Sequence, residues 1–427
     1  GDGRPLLPFF AVGAADGLFV AWVEWRLVGA RGADFAFSLV ERGLIASRAV
    51  WFYLGKLVWP ADLVFMYPHW SIRADDPRLY AYPAALLLAL AALWHWRRRA
   101  RGPLAGALLF IGTLLPVLGF LNVYLFVFSF VADHLQYLAC IGVFVPAAAG
   151  IAALRGRPGG RLVPALAVLL VAGLGVLTWR QSRMYRDAET LYRATLARNL
   201  AAWLAHGNLG GLLLRQGKYG EAVAELEAAR RAHPEKTELQ FNLGLAELRL
   251  HRPELALPLF AGLAAARPDD AESQRYAGDA LLQLGELPQA LPHYEAALRV
   301  RPDFTAVEIN LGNVLLALGR TSEGIDLLTR VLGREPDNTA ARFNLGVALA
   351  GLGRVTEAEA QFAAVLRVDP ADASAHLSLG MLLLDAGRSR EAIPHLEAAQ
   401  RLDPGLAGTP DALAAARRAA AGTPPAQ

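Results

Sequence analysis

The chain has 427 residues and a single cysteine, Cys140, which excludes any internal disulfide framework. It is 54% hydrophobic with mean hydropathy +0.30, and its net charge of +3 hides two unlike parts. Residues 1–180 hold 16 Lys+Arg against 9 Asp+Glu, whereas residues 181–427 hold 26 against 30. A basic, apolar first part and an acidic, Ala/Leu-rich second part read as membrane helices followed by a soluble helical module, and the acidic second part argues against nucleic acid as a partner.

The chain begins Gly-Asp-Gly, without Met or signal peptide, and reads as a piece of a longer protein. Five apolar blocks have about the length of a spanning helix: 5–23, 80–96, 104–122, 135–154 and 162–179. The stretch between the first two, "WFYLGKLVWPADLVFMYPHW" at 51–70, is too aromatic for a surface loop and too broken by Pro60 for a clean span. Residues 41–59 within this region are expected to form a helix at the membrane–water boundary, the alternative being a tilted span with snorkelling Arg48 and Lys56. "RRRAR" at 97–101 and the loop carrying Arg155, Arg157 and Arg161 lie two spans apart, while loop 123–134 has no Lys or Arg. The positive-inside rule then places both Arg loops in the cytoplasm. Segment 24–79 and everything after residue 179 fall outside it, with a bacterial inner membrane as the expected setting.

From Trp203 onward a period of 34 is unbroken: Gly210, Gly244, Gly278, Gly312, Gly346 and Gly380, then Pro234, Pro268, Pro302, Pro336, Pro370 and Pro404. Between them stand a small residue and a bulky one four later, as in Ala256/Phe260 and Ala290/Tyr294. This spacing is similar to the tetratricopeptide repeat, two antiparallel helices per unit, in six units over 203–406. The glycine admits close helix approach, the bulky residue is expected to fill the gap between units, and the proline closes each second helix. Residues 181–202 read as a junction half-repeat and 407–427 as a capping helix and tail. The expected fold is all-α: a multi-span membrane module over 1–180, then an α-solenoid.

Two residues before each repeat glycine come Asn208, Asn242, Tyr276, Asn310, Asn344 and Ser378. An amide offers both donor and acceptor, the pair that an extended peptide backbone presents, so this column is a candidate polypeptide-binding groove. The competing reading is hydrogen bonding within each repeat. No phosphate-cradling glycine loop, metal-ligand spacing or nucleophile elbow occurs, so no metal and no cofactor are evident. His206, His293 and His376 lie on repeat helices, where packing outweighs ligation, and Asp75–Asp76 reads as a turn. Asp133 and His134 open the block at 135–154, and two readings compete there: N-capping by Asp133, which simple physics favours, and an anion site.

"VADHLQYL", the helix ending "WPADLVFMYPHW" and the entry "DAETLYRATLARN" together resemble the carboxy-terminal part of the transmembrane-and-tetratricopeptide-repeat proteins. These are relatives of protein O-mannosyltransferases of the C-type glycosyltransferase fold. The resemblance implies sugar transfer from a polyprenyl-phosphate carrier, with the catalytic carboxylate in a first outer loop that nothing here matches. It makes Asp133, His134 and Tyr137 candidates for the carrier phosphate, with His where animal members have Arg, and Lys56 a further phosphate contact. The implied whole is a membrane protein whose arm brings polypeptides to a partly present transferase core. The alternative is a non-enzymatic membrane-anchored scaffold. Membrane lipid and polypeptides are the partners either way.

Overall fold

A computed structural model describes residues 35–122, 124–155 and 162–422, together with Phe19, Trp22, Val23, Arg26 and Leu27. Its described elements are helices and loops, in two compact units, Gly1–Glu235 and Lys236–Gln427. The division between these units falls after the first repeat.

The first unit is built on α1, Leu39–Val58. Ser38 and Glu41 form a reciprocal capping box: Glu41 N donates to Ser38 Oγ (3.3 Å) and Ser38 N to Glu41 Oε2 (2.9 Å). One face of α1 is buried through Leu44, Ile45, Ala46, Ala49, Val50 and Tyr53. Beyond Trp59 the chain turns back, and the aromatics of the helix and of the return segment interlock. Phe52 meets Tyr67 at 4.8 Å and Trp70 at 5.9 Å, and Trp51 Nε1 donates to the Tyr82 carbonyl at 3.1 Å. Of the aromatics in 51–70, Tyr53 and Tyr67 are core residues, Trp51, Phe52 and Trp70 are half-buried, and Trp59 and Phe65 point outward. Arg48 stacks over Trp70 at 4.4 Å rather than reaching outward.

Two helices, Pro77–Trp96 and Val163–Tyr185, are long and apolar enough to cross a membrane. Their regular α-helical parts are α2 (Ala81–Trp96) and α5 (Val163–Ser182), and neither buries a single side chain within the protein. Leu87, Leu88, Val168, Leu169 and Val171 are exposed, as helices facing lipid require. Between them lie α3 (Gly102–Leu114) and α4 (Ile141–Arg155). They meet at Gly106 and Gly142: a Cβ on Gly142 would stand 2.5 Å from the Gly106 carbonyl. Small residues that let backbones touch are the usual device of membrane helix pairs.

Two expected spans differ from these helices. The block 104–122 leaves helical geometry after Val117, and the block 135–154 becomes an α-helix only at Ile141. The intervening loop is apolar because it is core: Leu118, Phe126, Phe130, Val131 and Ala139 are buried in the protein. Arg42 fastens it, donating to the Gly119 carbonyl (2.7 Å) and to Asn122 Oδ1 (2.9 Å). Apart from Phe19, Trp22 and Val23, the expected span at 5–23 lies outside the described residues.

The unit closes with α6 (Ala188–Leu196), capped by Asp187, and the first repeat, α7 (Trp203–Arg215) with α8 (Tyr219–Ala232). The return segment of 59–76 ties these elements together. Gln181 Nε2 donates to the Leu63 carbonyl (3.0 Å) and Asn199 Nδ2 to the Met66 carbonyl (3.2 Å).

The second unit holds five further helix pairs: α9 (Thr237–Arg249) with α10 (Pro253–Ala266), α11 (Ala271–Gln283) with α12 (Leu287–Val300), and α13 (Thr305–Ala317) with α14 (Thr321–Arg334). Then follow α15 (Thr339–Gly351) with α16 (Val355–Val368), and α17 (Ala373–Asp385) with α18 (Ser389–Leu402). A terminal helix, α19 (Thr409–Gly422), buries Leu413 and Ala416 against the last pair.

The repeat glycine is a notch for the bulky residue of its own helix pair. A Cβ on Gly244 would lie 2.7 Å from the Phe260 ring, one on Gly278 2.7 Å from Tyr294, and one on Gly346 2.8 Å from Phe362. The bulky residue thus packs first within its unit rather than between units, though Phe260 also stacks on Tyr276 of the next repeat at 5.1 Å. Within each pair the turn needs one left-handed residue. It is glycine at Gly217, Gly285, Gly319, Gly353 and Gly387, with φ from 72° to 78°, and His251 at φ 56° in the second repeat.

Candidate functional site

Lys56, Asp133 and His134 converge in the first unit, and the residue that organises them is Tyr67. Tyr67 Oη donates to Asp133 Oδ1 at 2.8 Å. Lys56 Nζ donates to the carbonyls of Ala61 (2.6 Å) and Asp62 (3.3 Å), and its charge lies 5.6 Å from the rings of Phe52 and Tyr67. Burial pushes the Asp133 carboxyl above the ordinary carboxylate range, against the opposing pull of the Tyr67 hydrogen bond and the charges of Lys56 and His134. Burial and the neighbouring Asp133 carboxylate both push the Tyr67 hydroxyl up. Tyr67 was missed in the sequence because it sits in an apolar run with no motif around it.

Asp133 is not an N-cap. It lies inside a single 3₁₀ turn, Asp133–Gln136, whose cap residue is Ala132, and the α-helix starts only at Ile141. Its side chain turns inward to Tyr67, so neither helix-terminus reading of this residue holds. His134 and Tyr137 are exposed beside it. The arrangement is a cationic lysine and an imidazole next to a carboxyl held by a phenol, at the surface of an apolar bundle.

The groove column divides. Asn208 is exposed on α7 in the first unit. In the second unit Asn242, Tyr276, Asn310, Asn344 and Ser378 share one register, each half-buried. Asn310 is committed: its Nδ2 donates to Asp279 Oδ1 at 2.8 Å, across to the preceding repeat. Tyr294 Oη donates to the same oxygen at 2.7 Å, and burial pushes Asp279 up despite these bonds. Asn344 instead faces a cavity of about 440 Å³ bordered by Leu316, Val347 and Leu352. Tyr276 carries the Arg275 guanidinium on its ring at 3.7 Å.

The three repeat histidines make cross-helix clasps. Nδ1 of His206 lies 2.5 Å from Glu225 Oε2, that of His293 2.8 Å from Gln274 Oε1, and that of His376 3.1 Å from His395 Nδ1. Each pair is separated by 19 positions, a spacing that recurs with the repeat and was readable in the sequence. Among the described residues no group of three or more His, Cys, Asp or Glu is arranged to hold a metal ion.

Residues 173–303 and 315–406 match the tetratricopeptide-repeat family in overlapping segments, over half of the chain. The chain is 34% identical over 131 residues to Protein O-mannosyl-transferase Tmtc2 of Drosophila melanogaster, covering 30% of this chain and 14% of that protein. It is 32% identical over 141 residues to Protein O-mannosyl-transferase Tmtc1 of the same organism, covering 31% of this chain and 16% of that protein. The matched part therefore spans about one seventh of these curated relatives. Among solved structures, a thermophilic TPR protein of Thermus thermophilus is 27% identical, over 43% of this chain and 100% of that one, with a TM-score of 0.37. Glycine notches, left-handed turns and family matches agree: the chain belongs to the tetratricopeptide-repeat proteins.

Proposed function

We propose that this is an integral membrane protein whose repeat arm binds polypeptide segments on the non-cytoplasmic side. The observation that carries this reading is the second unit's register of Asn242, Tyr276, Asn310, Asn344 and Ser378, bordered by an open cavity at Asn344, in a chain with two unburied apolar helices. An extended peptide laid along such a register exchanges backbone hydrogen bonds with the amides and places side chains in the cavities between helices. The partial likeness to O-mannosyl-transferases supports a further role: the membrane module as part of a protein glycosyltransferase that uses a polyprenyl-phosphate-linked sugar. Lys56 is then the cation facing the carrier phosphate, His134 and Tyr137 are polar contacts beside it, and Asp133 is the residue that positions them.

The test is peptide binding to the full chain in lipid nanodiscs, read by fluorescence polarisation. Asn242→Ala with Asn344→Ala is expected to weaken binding about tenfold, which corresponds to ~1.4 kcal/mol, while Glu357→Ala on α16 leaves it unchanged. Equal affinities in both variants would overturn the groove. For the carrier role, Lys56→Gln is expected to lower retention of a polyprenyl phosphate in the same nanodiscs; unchanged retention favours the non-enzymatic scaffold.

A further inference from the structure

The wall of the groove between repeats two, three and four is polar and charged. A cavity of about 280 Å³ opens there, with Arg249, Arg275, Tyr276, Asp279, Gln283 and Asn310 on its walls. It is smaller than pockets for whole small molecules, roughly 300–1,000 Å³, and suits a single side chain. We propose that this cavity is the subsite that takes an acidic side chain, Asp or Glu, of an extended polypeptide. The proposal rests on the reading of the arm as a peptide binder and specifies what that peptide carries.

The first argument is pre-organisation. Arg275 Nε donates to Glu272 Oε2 (3.1 Å) and Nη1 to Asp279 Oδ2 (3.4 Å). Its Cζ lies 3.7 Å from the Tyr276 ring centroid and 5.5 Å from that of Phe304. The guanidinium is thus fixed in orientation before any ligand arrives, and among the described residues its Nη2 has no hydrogen-bond partner. A fixed fork with unused N–H groups is the donor geometry that a carboxylate accepts.

The second argument is charge. Arg249, Arg275 and Arg301 stand against Glu272 and Asp279. Arg301 is spent on Glu272 at 3.2 Å, and Asp279 already accepts from Tyr294, Asn310 and Arg275. Arg249 is exposed on the cavity wall and has no carboxylate partner among the described residues. One positive charge is therefore left over, in a part of the chain, 181–427, that is net negative. An entering carboxylate neutralises it; an entering lysine adds to it. The neighbouring amides of Gln283 and Asn310 add polar contacts for a planar acid group.

The experiment uses the full chain in lipid nanodiscs and three labelled peptides of repeating Ser-Glu-Ala, Ser-Gln-Ala and Ser-Lys-Ala, compared at low salt. The Glu peptide is expected to bind about tenfold tighter than the Gln peptide, with the Lys peptide weakest. Arg249→Glu is expected to abolish the preference for Glu over Gln; Arg249 is exposed, so this variant keeps the fold. Equal binding of the Glu and Gln peptides, or a preference that survives Arg249→Glu, overturns the subsite and leaves the groove standing. Failure of all three peptides to bind overturns the groove and the subsite together.

Discussion

Tyr67 and Asp133, 66 positions apart, share a hydrogen bond of 2.8 Å that joins the return segment after α1 to the turn before α4. This bond holds a half-buried carboxyl, whose desolvation opposes its charge, beside Lys56 and His134. Removing the hydroxyl leaves that carboxyl short of a donor. Tyr67→Phe is expected to destabilise the first unit by about 1–3 kcal/mol, while Asp133→Asn, whose amide oxygen still accepts from Tyr67, costs less. Denaturant unfolding in detergent checks the order; a Tyr67→Phe variant as stable as the parent contradicts it.

The glycine notches differ in depth, and that ranks their substitutions. A Cβ at Gly278 would stand 2.7 Å from Tyr294, whereas one at Gly312 would stand 3.2 Å from Leu328, whose side chain has more freedom to shift. Gly278→Ala is expected to destabilise the second unit by about 1–3 kcal/mol through overpacking, and Gly312→Ala by clearly less. Equal losses in thermal unfolding would mean that the notch does not set the helix spacing.

His251 holds the left-handed turn position that the other repeats give to glycine. A side chain there strains the backbone by about 1 kcal/mol. His251→Gly should therefore stabilise the second unit by a fraction of that amount, because glycine also loosens the unfolded chain. A measured loss of stability would show that the imidazole makes a contact worth more than the strain.

Two histidines of the second unit make its stability depend on pH. Burial holds His293 below the ordinary imidazole value; burial and then the neighbouring His376 do the same to His395, while Glu359 pulls the other way. A depressed folded-state value means that the unfolded chain takes up protons first as pH falls. The contribution is whole above about 6.5 and is lost as pH drops below it. The difference in unfolding midpoint between the parent and His293→Gln/His395→Gln should shrink or change sign between pH 7.5 and pH 5. A difference independent of pH across that range contradicts the assignment.

The repeats were legible because each has a local cause recurring every 34 residues: a notch glycine, a facing bulky residue and a closing proline. The apolar first 180 residues were less so, because hydrophobicity reports removal from water without saying whether lipid or protein does the covering. Leu118 and Ala139 look like span residues and are loop core; Tyr53 lies in the helix expected at the membrane–water boundary and is interior. The capping box of Ser38 and Glu41 was readable as "SLVE" and puts the start of α1 two residues earlier than expected. Lys56, Asp133 and His134 were named as candidates from the resemblance, whereas Tyr67, which bonds Asp133, follows only from the chain reversal after Pro60. Asn310 belonged to the column by register, and its commitment to Asp279 depends on a neighbour in the preceding repeat that periodicity alone does not select.

The claim on which the account turns is that membrane helices carry the repeat arm on the non-cytoplasmic side. It is tested by replacing Cys140 with alanine, placing single cysteines at Ser71 or at Ser322, both exposed, and treating intact cells with a membrane-impermeant thiol reagent. Labelling of both positions before lysis is the predicted result. Labelling of either position only after lysis would contradict the account.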